Sequence, residues 1–423
     1  MTTRTNNRTI VAGAVGNALE LYDFAVFGFF APIMSAQFFP SDDPVAGLLK
    51  TFGIFAIGYL ARPIGGLIFG RLGDRIGRQR ILKYSIALMA VPTTLIAVLP
   101  TYAEIGIWAA VLLILLRVLQ GLSTGGEFVG SICYLVEIAP SHRRGFVGSF
   151  TMFSGNIGVM AGSAVAATLH MTLSTEALAE WGWRLPFLGG LVLGIVGWLL
   201  RRQLLETPAF ENVLARGAAA RSPLLQAIRE MPGALLLVTL MVMILGVGFY
   251  TLAVWMPTYL THIVAPPVDH ALLINTAAIL LIMALMPFGG LFADHVGYKK
   301  VLVTAAIALA AIAYPLFMLM DTGTFVAVVA GQMSLVAVFA FINGTVPIAL
   351  AAQFPVAIRN SALALAYNVS MALFGGTAPL IATWLIRETG DLAAPAFYIT
   401  ATALISCVAI LMLRGRFAHS DTP

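Results

Sequence analysis

Five ionisable side chains stand inside long apolar runs of this sequence: Glu20, Asp23, Arg62, Arg117 and Glu127. A charge at the centre of a bilayer costs about 3 kcal/mol on insertion scales, so such residues are the first candidates for chemistry. Asn17, Glu20 and Asp23 follow i, i+3, i+6 spacing, which predicts one shared helix face. Counted from Ile10, Glu20 and Asp23 lie ~15 and ~20 Å into their run, near mid-depth. Arg117 sits at similar depth in its own run, and Gln120, Thr124 and Glu127 continue its stripe. Arg62 enters at similar depth, directly before Pro63.

In a low dielectric a carboxyl group keeps its proton more readily, and a nearby guanidinium opposes that. A carboxyl with an intermittently available arginine can therefore load and release a proton. On this reading Glu20, Asp23 and Glu127 are the proton-carrying set. Arg62 and Arg117 either neutralise them or hold an anionic group of a substrate, a task that suits the planar fork of arginine. A permanent ion pair that only fixes helix register would use the same residues. The second half of the chain offers no midspan charge. Its cavity candidates are Tyr250, Trp255, Tyr259, Asn343, Tyr367 and Asn368, with Asn275 and Gln332 as additions. Asn17, Tyr22, Arg62, Arg117 and Gln120 complete the expected substrate-binding set, and coupling is expected to concentrate in the N-terminal half.

The elements that position these residues must be helices in a membrane. Sixty per cent of the 423 residues are apolar, only 10% are charged and the mean hydropathy is +0.93. Soluble domains carry about 25% charge, so a soluble globular protein is excluded. Twelve apolar runs, bounded by charges or Pro/Gly clusters, cover 10–38, 48–69, 81–99, 105–136, 146–171, 186–200, 234–263, 271–292, 301–320, 325–354, 361–386 and 395–413. At about 20 residues per spanning helix, they leave no room for an ordinary soluble domain. They are continuous and not alternating, which excludes an outer-membrane barrel. A polar break interrupted by Pro208, Pro223 and Pro232 splits them six and six. The predicted organisation is a helical bundle over 1–200, a connector over 201–232 with amphipathic pieces on the membrane surface, and a second bundle over 233–423.

Arg4, Arg8, Arg71, Arg75, Arg78, Arg80, Lys83, Arg143, Arg144, the central break, Lys299, Lys300, Arg359, Arg414 and Arg416 all fall on one side of this topology. The other side holds only Lys50, Arg184 and Arg387 among many acids. The positive-inside rule then predicts both termini in the cytoplasm of a bacterial inner membrane. The net charge of +5 is thus topology, and no nucleic-acid partner is expected. Cys133 and Cys407 are too few and too far apart for a disulfide framework or metal cluster. The six histidines lie in loops, tails or near a span end, without metal-ligand context. There is no G-x-S-x-G, P-loop or H-E-x-x-H, so no enzyme is expected, and no metal or cofactor.

The stretch Gly70-Arg-Leu-Gly-Asp74-Arg75-Ile-Gly77-Arg78 returns as Gly290-Leu-Phe-Ala-Asp294-His295-Val-Gly297, and Pro140 with Arg144 returns as Pro355 with Arg359. Two echoes at nearly one offset predict two homologous six-helix halves, related by an axis normal to the membrane. The first stretch, together with Arg117-Val-Leu-Gln120-Gly121, resembles two signature motifs of the major facilitator superfamily. Gly16-Asn17-x-x-Glu20-x-Tyr22-Asp23-Phe24, Arg62-Pro63-Ile-Gly65-Gly66, Gly125-Gly126-Glu127 and Trp181-Gly-Trp183-Arg184-Leu-Pro186-Phe187 resemble its metabolite:proton symporter branch. That branch includes transporters of citrate, 2-oxoglutarate, shikimate and proline or betaine.

The resemblance implies an all-α membrane protein of twelve transmembrane helices in two pseudo-symmetric bundles, around a cavity that opens alternately to each side. For Gly70, Asp74, Arg75, Gly77 and Arg78 it implies a cytoplasmic latch onto the other bundle. Asp294, with Lys299 and Lys300, is the weaker copy, and Arg144 and Arg359 are the echoing basic pair. Gly155, Gly158 and Gly162 allow close helix packing, and the Gly-Pro element of the superfamily's antiporters is absent, which favours symport. The proline/betaine symporters of the branch carry a charged coiled-coil tail; this sequence stops soon after Leu413, so sensing by that device is not expected.

The expected function is uptake of a small carboxylate-bearing metabolite by a monomer in the lipid bilayer, with the proton as coupling ion. The cargo is either a di- or tricarboxylate or a zwitterion such as proline or betaine. The alternative is a proton-coupled antiporter that exports drugs or metabolites. An arginine facing the substrate would suit acids. Arginines tied up by the carboxylates, beside an aromatic cage, would suit a quaternary ammonium.

Overall fold

In hydrocarbon every backbone N–H and C=O must be paired within the protein, and a long apolar run does so as a helix. The computed structural model describes residues 7–68, 78–124, 127–201 and 223–413, and every regular element among them is helical. Each apolar run is one helix or a broken one. In order they are α1 (Asn7–Phe29, turning into Ala31–Phe38), α2 (Pro44–Ile68), α3 (Arg78–Ala97), α4 (Ile107–Ser123 and Glu127–Ile138), α5 (Arg144–Thr172) and α6 (Thr175–Gly182, turning into Arg184–Arg201). The second set is α7 (Pro232–His262), α8 (Ala271–Val296), α9 (Tyr298–Asp321), α10 (Phe325–Ala351), α11 (Ile358–Thr389) and α12 (Ala394–Met412).

Among the described residues nine helices are long and apolar enough to cross a membrane. The pairs in α1 and α6 bend by 65° and 48°, and the apolar part of α3 is the shorter Ser85–Ala97. Gly70, Asp74, Arg75, Gly77, Gly125, Gly126 and most of the connector lie outside the described residues, as do the side chains of Arg78 and Glu127. Of the connector, Pro223–Glu230 forms a short helix.

Local sequence explains the irregular points. α1 breaks at Phe30, where Pro32 stands in the first turn of the second piece and has no N–H to continue the ladder. In α7 the turn Tyr250–Trp255 widens to π-helical spacing. A buried amide steadies it: Asn275 Nδ2 donates to the Ala253 carbonyl at 2.8 Å, and Gln332 Nε2 donates to Asn275 Oδ1 at 3.0 Å. These two residues, weighed above as cavity candidates, are engaged in this support.

α1–α6 form one bundle and α7–α12 the other. Across the interface α1 packs on α7, α2 on α11, α4 on α10 and α5 on α8. Shifting each label by six maps this set of pairs onto itself, which is the signature of a two-fold axis and agrees with the internal repeat. Where α5 crosses α8, Gly145 and Gly290 face each other so closely that a Cβ on either would collide with the other's carbonyl oxygen. Outward-facing positions are apolar, among them Leu115, Val192, Ile195, Leu404 and Leu411, as a lipid-contacting surface requires.

Candidate functional site

The described midspan charges all belong to the first bundle, and they pair with one another. α1 carries Glu20 and Asp23, α2 carries Arg62, and α4 carries Arg117. Arg62 Nη1 lies 3.0 Å from Glu20 Oε1, with both side chains buried. Arg117 Nη1 stands off at 3.8 Å from Asp23 Oδ2 and donates to Gln120 Oε1 at 3.0 Å. Gln120 Nε2 in turn donates to Asp23 Oδ1 at 2.9 Å, and the Thr93 hydroxyl of α3 lies 2.8 Å from the same oxygen. Asp23 is thus held twice on Oδ1, while Oδ2 has no hydrogen-bond partner among the described residues. Both guanidinium carbons sit 4.4 Å from the centre of the Phe24 ring; Arg62 also lies 4.0 Å from Tyr59, and Arg117 4.4 Å from Phe27. Such cation–π contacts are worth about 2 kcal/mol when desolvated, which offsets part of the cost of burying the two cations.

The shared face expected of Asn17, Glu20 and Asp23 is a fan. Each i, i+3 step turns by about 60°, so the ends of the series differ by about 120°. Asn17 accordingly donates to Ser131 and Ser154 on α4 and α5, at 3.0 and 3.1 Å, while Glu20 meets α2 and Asp23 meets α3 and α4. Tyr22 turns elsewhere: its hydroxyl donates to the Pro186 carbonyl of α6 at 2.8 Å. It joins α1 to α6 and takes no part in the charged cluster.

The second bundle meets this cluster with aromatic rings. Tyr59 of α2 and Tyr250 of α7 bond hydroxyl to hydroxyl across the interface, with ring centres 5.0 Å apart. Tyr367 of α11 stacks on Phe128 of α4 across the interface, ring centres 5.5 Å apart. Arg62 Nε and Nη2, the two parallel donors along one edge of the guanidinium, have no hydrogen-bond partner among the described residues. Trp255 is not brought here: it donates to Thr383 Oγ1 at 2.9 Å and stacks on Tyr259 inside its own bundle. Asn343 and Asn368 are buried on α10 and α11, with Asn343 Oδ1 unpartnered among the described residues. Tyr59 and Thr93 escaped the sequence reading, and Phe24 entered it only as part of a motif, because an aromatic or a threonine in an apolar run carries no signal of its own.

Further contacts tie the bundles together at both ends. On the face where α4 ends and α5 begins, Asp294 of α8 accepts the backbone N–H groups of Gly145 and Phe146 at 2.6 and 2.8 Å. These first-turn amides have no acceptor within α5, so Asp294 caps that helix from the other bundle. Asp294, read from sequence as the weaker copy of a latch, thus has backbone amides of the other bundle as its partners. Lys299 donates to the Leu413 carbonyl at the end of α12 instead. Arg359 of α11 pairs with Glu137 of α4, again across the interface, and Arg144 is the first residue of α5. On the opposite face Arg387 of α11 lies 3.1 Å from Asp43 Oδ2, while Asp43 Oδ1 caps α2 through the N–H groups of Val45 and Ala46.

Comparison with known proteins agrees with this architecture. Residues 9–234 match the model of the family described as sugar (and other) transporter. A proline/betaine transporter of Salmonella typhimurium is 37% identical over 410 residues, covering 95% of this chain and 82% of the relative. A glycine betaine/proline/ectoine/pipecolic acid transporter of Dickeya dadantii is 35% identical, covering 96% of this chain and 83% of the relative. A structure of the proton:xylose symporter XylE superposes with a TM-score of 0.75 at 19% identity, covering 95% of this chain and 93% of that one. With two pseudo-symmetric helical bundles among the described residues and relatives aligned over nearly its whole length, this chain belongs to the sugar (and other) transporter family and is a membrane transporter, not an enzyme.

Proposed function

We propose that this protein imports a small zwitterion of the proline and betaine kind together with a proton, across a bacterial inner membrane with both termini cytoplasmic. The observation that carries the reading is the state of Arg62. Its Nη1 is balanced by Glu20, its buried Nε and Nη2 have no hydrogen-bond partner among the described residues, and the Tyr59 ring that lies 4.0 Å from its guanidinium carbon is bonded through its hydroxyl to Tyr250 of the other bundle. Two parallel donors match a substrate carboxylate bidentately, and a tyrosine face matches an ammonium, once the cavity opens to admit them. The substrate is neutral overall, and so is the cluster it enters, since two carboxylates face two guanidiniums. A di- or tricarboxylate would bring two or three negative charges to one open arginine edge, a burden that buried pairing does not offset. The named relatives, proline/betaine transporters at 37% identity, support the same class.

Asp23 is the proton carrier in this proposal. Its Oδ2 is unpartnered, and its ion pair with Arg117 is stretched compared with that of Glu20 and Arg62. Glu127 is assigned no step. The rocking units are 1–200 and 233–423, joined by 201–232. The Asp294 cap and the Glu137–Arg359 pair hold the cytoplasmic side shut, and the Asp43–Arg387 pair holds the periplasmic side.

The test is liposomes that hold the purified protein and a trapped pH dye. Betaine or proline should acidify the lumen, while citrate and 2-oxoglutarate should not. Asp23→Asn should abolish the acidification while leaving exchange of labelled for unlabelled betaine. Acidification by citrate and not by betaine would refute the substrate class. Efflux of preloaded betaine on imposing an inward proton gradient would establish the exporter instead.

A further inference from the structure

One hydroxyl beside Asp23 has more acceptors than protons. Thr93 Oγ1 lies 2.8 Å from Asp23 Oδ1 and 2.7 Å from the Met89 carbonyl, one turn back in its own helix, and it accepts from Gln120 Nε2 at 2.9 Å. A threonine hydroxyl carries a single proton, so it donates to one of the two oxygens at a time. Both positions are buried, and Thr93 is 1% exposed, so water does not replace the lost bond at low cost. Pro92, immediately before Thr93, lies inside α3 and removes a backbone hydrogen bond at this level. A turn already short of one bond is the part of α3 most able to respond when a second one changes.

We propose that the Thr93 hydroxyl is a positioning group that couples the charge of Asp23 to α3, donating to Oδ1 while the carboxylate is ionised and turning to the Met89 carbonyl once a proton sits on Oδ2. The inference rests on the reading of Asp23 as proton carrier. Loading forms one O–H bond at Oδ2, with a proton taken from water on one face and returned to water on the other, and takes Asp23 from −1 to neutral. Oδ1, no longer the stronger acceptor, gives up the Thr93 proton, while Gln120 keeps hold of both Oδ1 and Thr93 Oγ1 through its two N–H groups. Among the described residues, the charged and titratable groups near Asp23 are Arg117 on α4, Arg62 on α2 and, on its own helix, the adjacent Tyr22, whose hydroxyl is turned to α6, while Glu20 faces Arg62. Among its described side chains, α3 contributes the Thr93 hydroxyl.

Thr93→Val keeps the shape and removes the hydroxyl; Thr93→Ser keeps the hydroxyl. The pH profile of betaine-evoked proton flux is measured in liposomes beside betaine exchange, which needs no net proton movement. Thr93→Val should move the alkaline limb of the flux profile to higher pH by about 1 unit, the consequence of losing one hydrogen bond to an ionised carboxylate. Exchange should stay within about 3-fold of the unmodified protein, and Thr93→Ser should restore the original profile. If the unmodified protein moves protons and Thr93→Val leaves its profile in place, the inference is refuted alone. Equal loss of flux and exchange in both variants would make Thr93 structural and refute it too. No proton flux in the unmodified protein would refute the symport reading and this inference together.

Discussion

Replacing Asp294 by Asn tests how the two bundles are held on the face where α5 begins. The carboxylate receives two backbone N–H groups at 2.6 and 2.8 Å and sits at the positive end of the α5 dipole. Asn keeps one acceptor oxygen, presents N–H groups to the other donor and carries no charge. The variant loses one charge-assisted hydrogen bond, worth about 1.5–3 kcal/mol net. It also loses a dipole contribution of about 0.5 kcal/mol. Together these remove about 2–3.5 kcal/mol from the closed arrangement, which lowers the ratio of closed to open forms roughly 30- to 400-fold.

Spin labels at His142 and His295 report the change, because both are exposed and lie on opposite bundles at this face. Cys133 and Cys407 are buried and leave the introduced cysteines to react. Pulsed-EPR distances should acquire a longer population in Asp294→Asn that is minor in the parent. An unchanged distribution would show that the cap does not hold the bundles together, and that the close crossing of Gly145 and Gly290 suffices without it.

Gly145→Ala should open the same face by a different route, since its Cβ would meet Asp294 Oδ1 at 2.9 Å and the Gly290 carbonyl; the same label pair should report a longer population and the melting temperature should fall. Arg62→Lys keeps the charge opposite Glu20 and loses the two-donor edge, so betaine affinity by calorimetry should fall roughly 10-fold or more, the cost of one charge-assisted bond. Tyr250→Phe removes the hydroxyl bridge to Tyr59 and leaves the ring, so betaine binding should change by less than about 5-fold if the aromatic face is what holds the ammonium. Asp43→Asn keeps an N-cap acceptor for Val45 and Ala46 and removes only the charge opposite Arg387, so exposure at the opposite face should rise by no more than about 5-fold, the worth of one exposed ion pair, with little change in melting temperature.

Depth and periodicity are properties of one dimension, and they were legible. The apolar runs, the six-and-six division and the midspan level of Glu20, Asp23, Arg62 and Arg117 follow from counting residues against bilayer thickness, and the helices lie where the runs do. The repeat at Asp74 and Asp294 announced two related bundles for the same reason, because homologous halves leave echoes in order. Partner choice is a matter of azimuth and crossing, which the chain carries only jointly with its neighbours. Spacing put Asn17, Glu20 and Asp23 on one face, and packing sent them to three sets of partners; Tyr22, adjacent to Asp23, turned to α6. Asp294 found backbone amides that no side-chain pattern could announce. The residue types and their depth were determined by the sequence alone, since lipid exclusion acts on each helix separately. Which carboxylate met which arginine, which donors of Arg62 were left unpartnered and which tyrosine reached it were decided only when the helices packed, because each contact requires two elements to arrive with a common orientation.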